Sequence, residues 1–282
     1  MNGRSPKKVP DYLVIGHVTR DLIEGSYRLG GSALFTSLLA SRMGYRTALF
    51  TASSEELPWD LLSDVEIFNQ PTPRTTTFQN QYTSSGRRQI LINRAPELDL
   101  DQLPDSWKRA PIIHLAPVAR EICLEDLPNF HTGKLFLSLQ GWLRDWDQSG
   151  LISPVQFSHP GELNLPISGA FLSIEDLGHD RSSLPGLLKL TPTLILTLGR
   201  NGSELYQDGT MTRIKAFPFS EVDPTGAGDI YATAFIIYRV MEGRPAIRSC
   251  QLASRLASLS VSRAGVMAVP SRKEIDETSK VI

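Results

Sequence analysis

Short apolar runs alternate with longer mixed segments along most of the chain. A run of four or five residues that is apolar at nearly every position is typical of a strand buried on both faces of a parallel sheet. Helical or loop segments separate most of these runs, which predicts an α/β domain with a mostly parallel, doubly wound sheet. The runs lie at residues 12–16, 47–51, 65–68, 111–115, 134–138, 170–173 and 194–197.

At residues 75–83 and 87–92 the sequence pattern changes, and β-branched and aromatic residues alternate with polar ones with a period of two. This alternation, around the turn residues Ser84, Ser85 and Gly86, predicts a β hairpin. The pattern leaves two placements open: an edge hairpin of the main sheet, or part of a separate small sheet. A second hairpin is predicted at residues 203–217, with its turn at an Asp-Gly pair.

Three helices are predicted from apolar patterning and glycine punctuation. Gly30 and Gly31 precede a helix over residues 32–43, which Gly44 ends. Residues 230–238 are apolar on nearly every face, which predicts a buried helix that stops at Gly243. Residues 245–263 predict an amphipathic helix rich in small residues.

The buried helix is preceded by the heptapeptide Asp223-Pro-Thr-Gly-Ala-Gly-Asp229. The first N–H groups of a helix lack partners inside it and lie at the positive end of its dipole, so glycines there favour anion binding. A carboxylate beside an anion site has a chemical use if Asp229 removes a proton from a hydroxyl that attacks a phosphoryl group. The alternative is an ordinary Asp that complements the helix dipole.

Composition narrows the class of protein without identifying it. The 282 residues carry a net charge of −1, which argues against nucleic acid and membrane partners. Two cysteines imply no disulfide framework, and we expect a soluble, cytoplasmic protein. The sequence contains no P-loop, no dinucleotide fingerprint, no metal-site spacing of histidines and no nucleophile elbow. Phosphoryl chemistry therefore has to rest on the Gly226-Ala227-Gly228 cradle.

The heptapeptide resembles the C-terminal motif of the PfkB (ribokinase-like) family of carbohydrate kinases, and supporting pieces follow in family order from about residue 11 to about residue 270. The resemblance implies a three-layer α/β/α sandwich over residues 11–282, preceded by a loose tail at residues 1–10. It also implies a small β lid from residues 22–29 and 75–92. In that family the Gly-Ala-Gly backbone forms the anion hole and the last Asp is the catalytic base.

The same resemblance assigns roles to further residues. Asp21 follows a strand that ends in Gly, where the family binds substrate, while Phe35 stands where the family commonly has Asn. Ser173 and Asp176 occupy the place of a motif that organises Mg²⁺ and phosphate. The loop at residues 264–270, with carbonyls near Asp223, resembles a monovalent-cation (K⁺) site. The implied site residues are Asp229, Gly226, Ala227 and Gly228 for catalysis; Asp21, Gly30, Gly31 and Phe35 for substrate; Thr197, Gly199, Gly202, Thr225 and Ser254 for nucleotide; and Asp176 for metal.

These residues imply an ATP- and Mg²⁺-dependent kinase that phosphorylates a hydroxyl group of a small sugar, cyclitol or related polyol. The departure at Phe35 favours a divergent branch near the myo-inositol kinases. One alternative is a nucleoside kinase of the same fold, in which Phe35 and Phe78 stack on a base. Another is a silent nucleotide- or metabolite-binding protein. Whether two copies pair through the lid is left open.

Overall fold

The computed structural model describes residues 8–23, 26–54, 57–83, 86–127, 130, 133–157 and 166–281. Its strands fall into a nine-stranded sheet and two smaller sheets. Along the described chain the strands are β1 (Tyr12–Ile15), β2 (Thr19–Ile23), β3 (Ser26–Gly30), β4 (Thr47–Ser53), β5 (Val65–Pro71), β6 (Thr77–Thr83), β7 (Gly86–Asn93), β8 (Ile112–Leu115), β9 (Lys134–Ser138), β10 (Arg144–Trp146), β11 (Ile152–Pro154), β12 (Ile167–Ser173), β13 (Thr193–Thr197), β14 (Ser203–Gln207) and β15 (Thr210–Ile214).

The main sheet has the strand order β15-β14-β13-β12-β9-β8-β1-β4-β5. Strands β13, β12, β9, β8, β1, β4 and β5 pair in parallel, and the β14–β15 hairpin adds an antiparallel edge. The chain builds outward from β1 in one direction and from β8 in the other. The carboxyl ends beside this reversal are where an open α/β sheet binds ligands.

One face of the main sheet is covered by helices. In the described chain the α-helices are α1 (Ser32–Arg42), α2 (Leu184–Leu187), α3 (Ala227–Ile236), α4 (Ala246–Ser260) and α5 (Arg272–Val281), and all but α2 lie on this face. Apolar side chains of α1, α3, α4 and α5 form one core with residues from the strands beneath them. Helix α3 is apolar throughout because α1 and α4 enclose it against the sheet, and residues 230–236 are all buried.

The opposite face carries a thinner layer made mainly of loops, short 3-10 helices and α2. Leucines and one fully buried tryptophan, Trp107, pack there against β8, β9, β12 and β13. The chain is therefore a three-layer α/β structure with a large, mostly parallel central sheet, as the sequence predicted. None of the helices in the described ranges has the length and hydropathy required to span a membrane.

Strands β2, β3, β6 and β7 form a separate four-stranded sheet of order β3-β2-β6-β7. In the described chain, the hairpin of β6 and β7, which the alternating pattern predicted, therefore pairs with β2 and not with the main sheet. The first hairpin is longer than the predicted stretch 22–29, since its strands begin at Thr19 and end at Gly30. The predicted turn residues Ser84 and Ser85, like residues 1–7 of the predicted tail, lie outside the described residues.

The three-residue strands β10 and β11 form a hairpin that the sequence did not predict. It docks on the four-stranded sheet, because Leu91 N–H donates to the carbonyl of Gly150 at 2.8 Å and Ile90 bridges Leu151. Phe78, Leu91 and Ile152 share a small apolar cluster at this contact. The hairpin therefore extends the small sheet toward the carboxyl edge of the main sheet.

Candidate active site

A cavity of about 730 Å³ opens at the carboxyl edge of the main sheet, below the small sheet. Residues that follow β1, β9, β12 and β13 line it, together with the first residues of α1 and α3 and one side of α4. Parallel strands bring their carboxyl ends to one edge, so residues far apart in sequence meet there. All the predicted site residues line this cavity except Gly30.

The first turn of α3 is the glycine-rich segment for which the sequence predicts an anion cradle. Gly226 is the N-cap in the left-handed region, at φ 82°, and a Cβ added there would lie 2.7 Å from the ring of Phe35. Glycine is required at this position both by backbone conformation and by packing. A Cβ on Gly228 meets no atom within 4 Å, so the missing side chain leaves room on the cavity side. The N–H groups of Gly228 and Asp229 lie at the start of the helix, where no intrahelical acceptor exists.

The loop before the cradle is held by its own carboxylate. Asp223 Oδ1 accepts the N–H of Thr225 at 3.0 Å, and the N–H groups of Val222 and Asp223 donate to the carbonyl of Val261 at 2.7 and 3.0 Å. These bonds anchor the loop to the end of α4. The loop therefore presents the glycines from a fixed position.

Asp229 lies in the first turn of α3, partly exposed to the cavity. Burial raises the pKa of its carboxyl from 3.8 to about 7; a hydrogen bond from Ser32 lowers it, the charge of Asp176 raises it and the charge of Arg144 lowers it. Burial dominates because water is replaced by groups that solvate the charge less well. A carboxyl with a pKa near neutrality is able both to accept and to release a proton near pH 7.

Asp176 lies at the carboxyl end of β12 and is 8% exposed. Its Oδ2 accepts the N–H of Ser173 at 2.8 Å, and its Oδ1 accepts Gln140 Nε2 at 3.4 Å. Among the residues that the structure describes, no three His, Cys, Asp or Glu side chains converge as a metal cage. Mg²⁺ commonly uses one or two carboxylates with water and substrate phosphates, and the pair Asp176 and Asp229 fits that mode.

The other end of the cavity is formed by β2 and by the glycines at the end of β3. Asp21 lies on β2, and Thr19 Oγ1 donates to its Oδ1 at 3.5 Å. A Cβ on Gly30 would lie 2.5 Å from Asp21 Oδ2, so Gly30 supplies the space that the carboxylate occupies. Gly31 has a φ of 92°, and a Cβ added to it would lie 2.6 Å from the carbonyl oxygen of His17. Gly30 therefore makes room for the Asp21 carboxylate, whereas Gly31 lines the cavity and packs against His17 and Thr19.

Phe35 has a packing role that the sequence did not reveal. Its ring is 1% exposed, lies against Gly226 and belongs to the main core as well as to the cavity wall. It therefore joins α1 to the cradle at the start of α3. The wall beyond it is mixed: it comprises the apolar residues Phe78, Val118, Leu143, Leu151, Ile152 and Pro154 together with the polar residues Arg88, Gln89, Gln140 and Arg144.

The predicted nucleotide residues lie together on the α4 side of the cavity. Thr197 ends β13, and its hydroxyl donates to the carbonyl of Leu172 at 3.4 Å. Gly199 has φ 55° and open space at its Cβ position, whereas a Cβ on Gly202 would collide with the carbonyl of Ile214. Gly202 is therefore required by the chain's own packing, and Gly199 leaves room beside the cavity.

Ser254, on α4, is 3% exposed and donates to the carbonyl of Lys215 at 3.0 Å. One turn along, Ser258 Oγ accepts the N–H of Phe217 at 3.1 Å. The two serines hold the segment after β15 against the helix. Phe217 and Phe219 of that segment line the cavity, and Phe219 is exposed.

Sequence reasoning left two interpretations of Gln140 and Arg144: contact with substrate or phosphate, or, for Arg144, pairing with a surface carboxylate. Both residues line the cavity, as does Ser32, which the sequence did not single out. His114, also unassigned, is a satisfied core residue: its ring nitrogens bond Tyr12 Oη at 2.8 Å and Ser138 Oγ at 2.9 Å. Burial lowers the pKa of His114 to about 3, so it stays neutral.

Residues 178–273 match the model of the pfkB family carbohydrate kinases. The rice inositol 3-kinase (Oryza sativa subsp. japonica) is 38% identical over 73 residues, 26% of this chain and 18% of that protein. A nucleoside kinase of Methanothermobacter thermautotrophicus is 28% identical over 262 residues, 84% of this chain and 79% of that protein.

The structure of a pyrophosphate-dependent myo-inositol-1 kinase, converted into a myo-inositol-3 kinase by two substitutions, superposes with a TM-score of 0.79. The superposition covers 95% of this chain and 98% of that one at 18% identity, which shows a shared fold. The chain aligns with only 18–29% of the length of four curated relatives, the rice protein among them.

The fold and the cavity define a ribokinase-like α/β protein with a glycine cradle at a helix N-terminus. The match to the pfkB family carbohydrate kinase model spans residues 178–273, and the fold is shared over 95% of the chain with the inositol kinase structure.

Proposed function

We propose that the protein transfers the γ-phosphoryl group of ATP to a hydroxyl group of a small sugar, cyclitol or related polyol. The observation that carries the proposal is Asp229, a carboxyl with a pKa of about 7 beside the unpaired N–H groups of an α3 cradle. A base near its working pH and an anion site within one helical turn are what hydroxyl-to-phosphoryl attack requires.

Each part of the site has a role in this proposal. Asp229 accepts the proton of the attacking hydroxyl, which Asp21 and the backbone at Gly31 hold in place. In the predicted Gly226-Ala227-Gly228 cradle the N–H of Ala227 already donates to the carbonyl of Pro224 at 3.2 Å, so the N–H groups of Gly228 and Asp229 would stabilise the negative charge that develops on the transferred group. These donors are fixed before substrate binds, so little reorganisation is needed when the charge develops.

On the donor side, Thr197, Gly199, Gly202 and Thr225 would border the phosphates, with Ser254 near the base. Asp176, held by Ser173 and Gln140, would take part in holding Mg²⁺. Mg²⁺, when bound, neutralises phosphate charge. The exposed ring of Phe219 offers an apolar surface suited to a purine.

A monovalent cation is not part of the proposal. Arg28 Nη1 lies 3.9 Å from Asp223 Oδ2, and its side chain passes 3.6 Å from the position of a Cβ on Gly265. The Arg28 side chain therefore runs beside both segments that the resemblance assigned to K⁺, with its guanidinium next to the carboxylate of Asp223. A second positive charge in the same place would be repelled by it.

The acceptor class has a second candidate, a nucleoside. The apolar part of the wall around Phe78, Leu143 and Ile152 would suit a base better than a ring that carries a hydroxyl on every carbon. The nucleoside kinase of M. thermautotrophicus also aligns over most of its length. Against this, the inositol kinases share the fold and a local identity of 38%.

The test is a phosphorylation screen with ATP and Mg²⁺ across sugars, cyclitols and nucleosides, with Asp229→Asn as the control. Turnover of a cyclitol or sugar that Asp229→Asn loses supports the first candidate, and turnover of nucleosides alone supports the second. If ATP binds but no acceptor is phosphorylated, the chain is a silent nucleotide-binding protein and the proposal fails. Gel filtration of the same preparation decides whether two copies pair through the small sheet.

A further inference from the structure

One buried carboxylate holds the loops that follow β1 and β8. Glu121 is fully buried and is not part of the cavity wall. Its Oε1 accepts the N–H of His17 at 2.9 Å and that of Val118 at 3.0 Å, and its Oε2 accepts the N–H of Val118 at 3.0 Å and that of Ala119 at 2.7 Å. Because β1 and β8 are parallel neighbours in the main sheet, a single side chain joins their two exits at the edge where the cavity lies.

The loop after β1 leads directly to the residues that the proposed function assigns to the acceptor. From His17 the chain enters β2, which begins at Thr19 and carries Asp21, and both Thr19 and Asp21 line the cavity. Next to His17, the N–H of Val18 donates to Thr51 Oγ1 at 2.9 Å. The backbone just before Asp21 is therefore fixed by side chains from β4 and from the loop after β8.

The loop after β8 contributes Val118 to the cavity wall, where this residue packs in a small apolar cluster with β6 and β7. Glu121 binds N–H groups of this loop, while the guanidinium of Arg94 donates to the carbonyls of Ala119 and Arg120 at 2.7 Å each. Arg120 has a φ of 54°, a conformation that a residue other than glycine keeps only where its surroundings hold it. The position of Val118 is therefore set by these bonds to the loop backbone.

We infer that Glu121 is a positioning residue for the acceptor, because it fixes the backbone that carries Asp21 relative to the backbone that carries Val118. The inference rests on the proposed function, in which this end of the cavity binds the acceptor. A buried carboxylate is tolerated only when donors surround it, and hydrogen bonds to a charged acceptor are among the strongest in proteins. A side chain that accepted fewer bonds would leave one of the three N–H groups buried without a partner.

Steady-state kinetics of Glu121→Gln test the role. The amide keeps the size of the side chain but replaces one acceptor oxygen with a donor. Since His17 uses only Oε1 and Ala119 uses only Oε2, either orientation of the amide releases one of the two loops. We expect kcat/KM for the acceptor to fall by about 10- to 100-fold, because a small displacement of Asp21 misplaces the hydroxyl that reacts. The dissociation constant for ATP, measured without acceptor, should not change.

The matched control is Glu204→Gln, which alters a second buried carboxylate far from the acceptor residues in sequence. Glu204 is 1% exposed, lies on β14 and accepts hydrogen bonds from the side chains of Arg181, Tyr206 and Arg213. Both variants should lower Tm, because each removes an acceptor from buried donors. Only Glu121→Gln should change the kinetics of the acceptor, whereas a purely stabilising role for Glu121 predicts the same kinetic behaviour for the two variants.

Amide hydrogen exchange followed by mass spectrometry tests the two loops without using activity. In Glu121→Gln, peptides that contain residues 16–19 and 116–121 should exchange faster than in the parent protein, while peptides from β13 and α4 should not. Glu121→Asp keeps the charge but is shorter by one methylene group, so it cannot reach both loops. It should accelerate exchange in the same two segments and weaken use of the acceptor in the same way.

The outcomes separate the inference from the function on which it rests. Unchanged acceptor kinetics in folded Glu121→Gln, or an equal loss of acceptor and ATP binding, overturns the positioning role while the kinase activity stands. If Glu121→Gln does not fold, the same measurements on Glu121→Asp decide by the same criteria. A parent protein that phosphorylates no acceptor overturns the proposed function and with it the acceptor role of Glu121, and the exchange data then show only whether Glu121 holds the two loops.

Discussion

Asp229→Asn changes one atom and separates two physical accounts of this residue. If Asp229 only complements the dipole of α3, its replacement should cost about 0.3–1 kcal/mol of stability and leave turnover intact. The environment of the cavity predicts the opposite sign for stability. Burial raises the pKa of this carboxyl from 3.8 to about 7, so ionising it costs the folded protein free energy that a neutral amide does not cost.

The sign and the pH window follow from proton linkage. Between about pH 4 and pH 7 the folded protein holds the proton while the unfolded chain releases it, so stability falls as pH rises through this window. A rise of about three units in the pKa of Asp229 corresponds to at most about 4 kcal/mol of folding free energy. Because Asp229 is partly exposed to the cavity, the loss of stability is smaller than this figure. We therefore expect Asp229→Asn to raise Tm by several degrees at pH 8 and to have a much smaller effect at pH 4.

Turnover should change in the other direction. Removing a positioned base lowers kcat by about 10²–10⁴-fold, while nucleotide affinity holds or rises slightly because a negative charge near the phosphates is gone. Thermal melts at pH 4, 6 and 8 and steady-state kinetics on one preparation give both readouts. A variant that is less stable than the parent at pH 8 and turns over at the parent rate would refute the reasoning for Asp229.

Three further predictions concern the cradle and its surroundings. Gly226→Ala should destabilise the fold by about 1–3 kcal/mol, because Gly226 has a positive φ and contacts Phe35. Gly228→Ala should melt at the temperature of the parent protein but lose activity. Equal melting temperatures for the two variants would contradict this prediction. Phe35→Asn should change which acceptors are used, at a cost of about 2–4 kcal/mol in stability since the ring is 1% exposed; an unchanged acceptor profile would make Phe35 a packing residue only. Replacing K⁺ with tetramethylammonium should leave the rate unchanged, and Arg28→Ala should introduce a K⁺ requirement; K⁺ activation of the parent protein would count against a role for Arg28.

The amino-acid sequence by itself determined the parts of this structure that consecutive residues encode. Each predicted apolar run became a strand of the nine-stranded sheet, because pairing inside a mostly parallel sheet satisfies the backbone of a short run while it buries the apolar side chains. The period-two hairpin and the glycine-led helix starts at Ser32 and Ala227 were also readable, since turn chemistry and side-chain period are local. The cradle was predicted for the same reason.

Tertiary structure alone decided how distant residues act on one another. The carboxylate of Asp21 fills the space above Gly30, and Phe35 makes glycine obligatory at 226. The pKa of about 7 at Asp229 comes mainly from burial, with a smaller increase from the charge of Asp176, which follows β12. Desolvation, packing and charge coupling depend on which atoms lie within a few ångströms of one another, and that information exists only once the strands have brought their carboxyl ends to one edge.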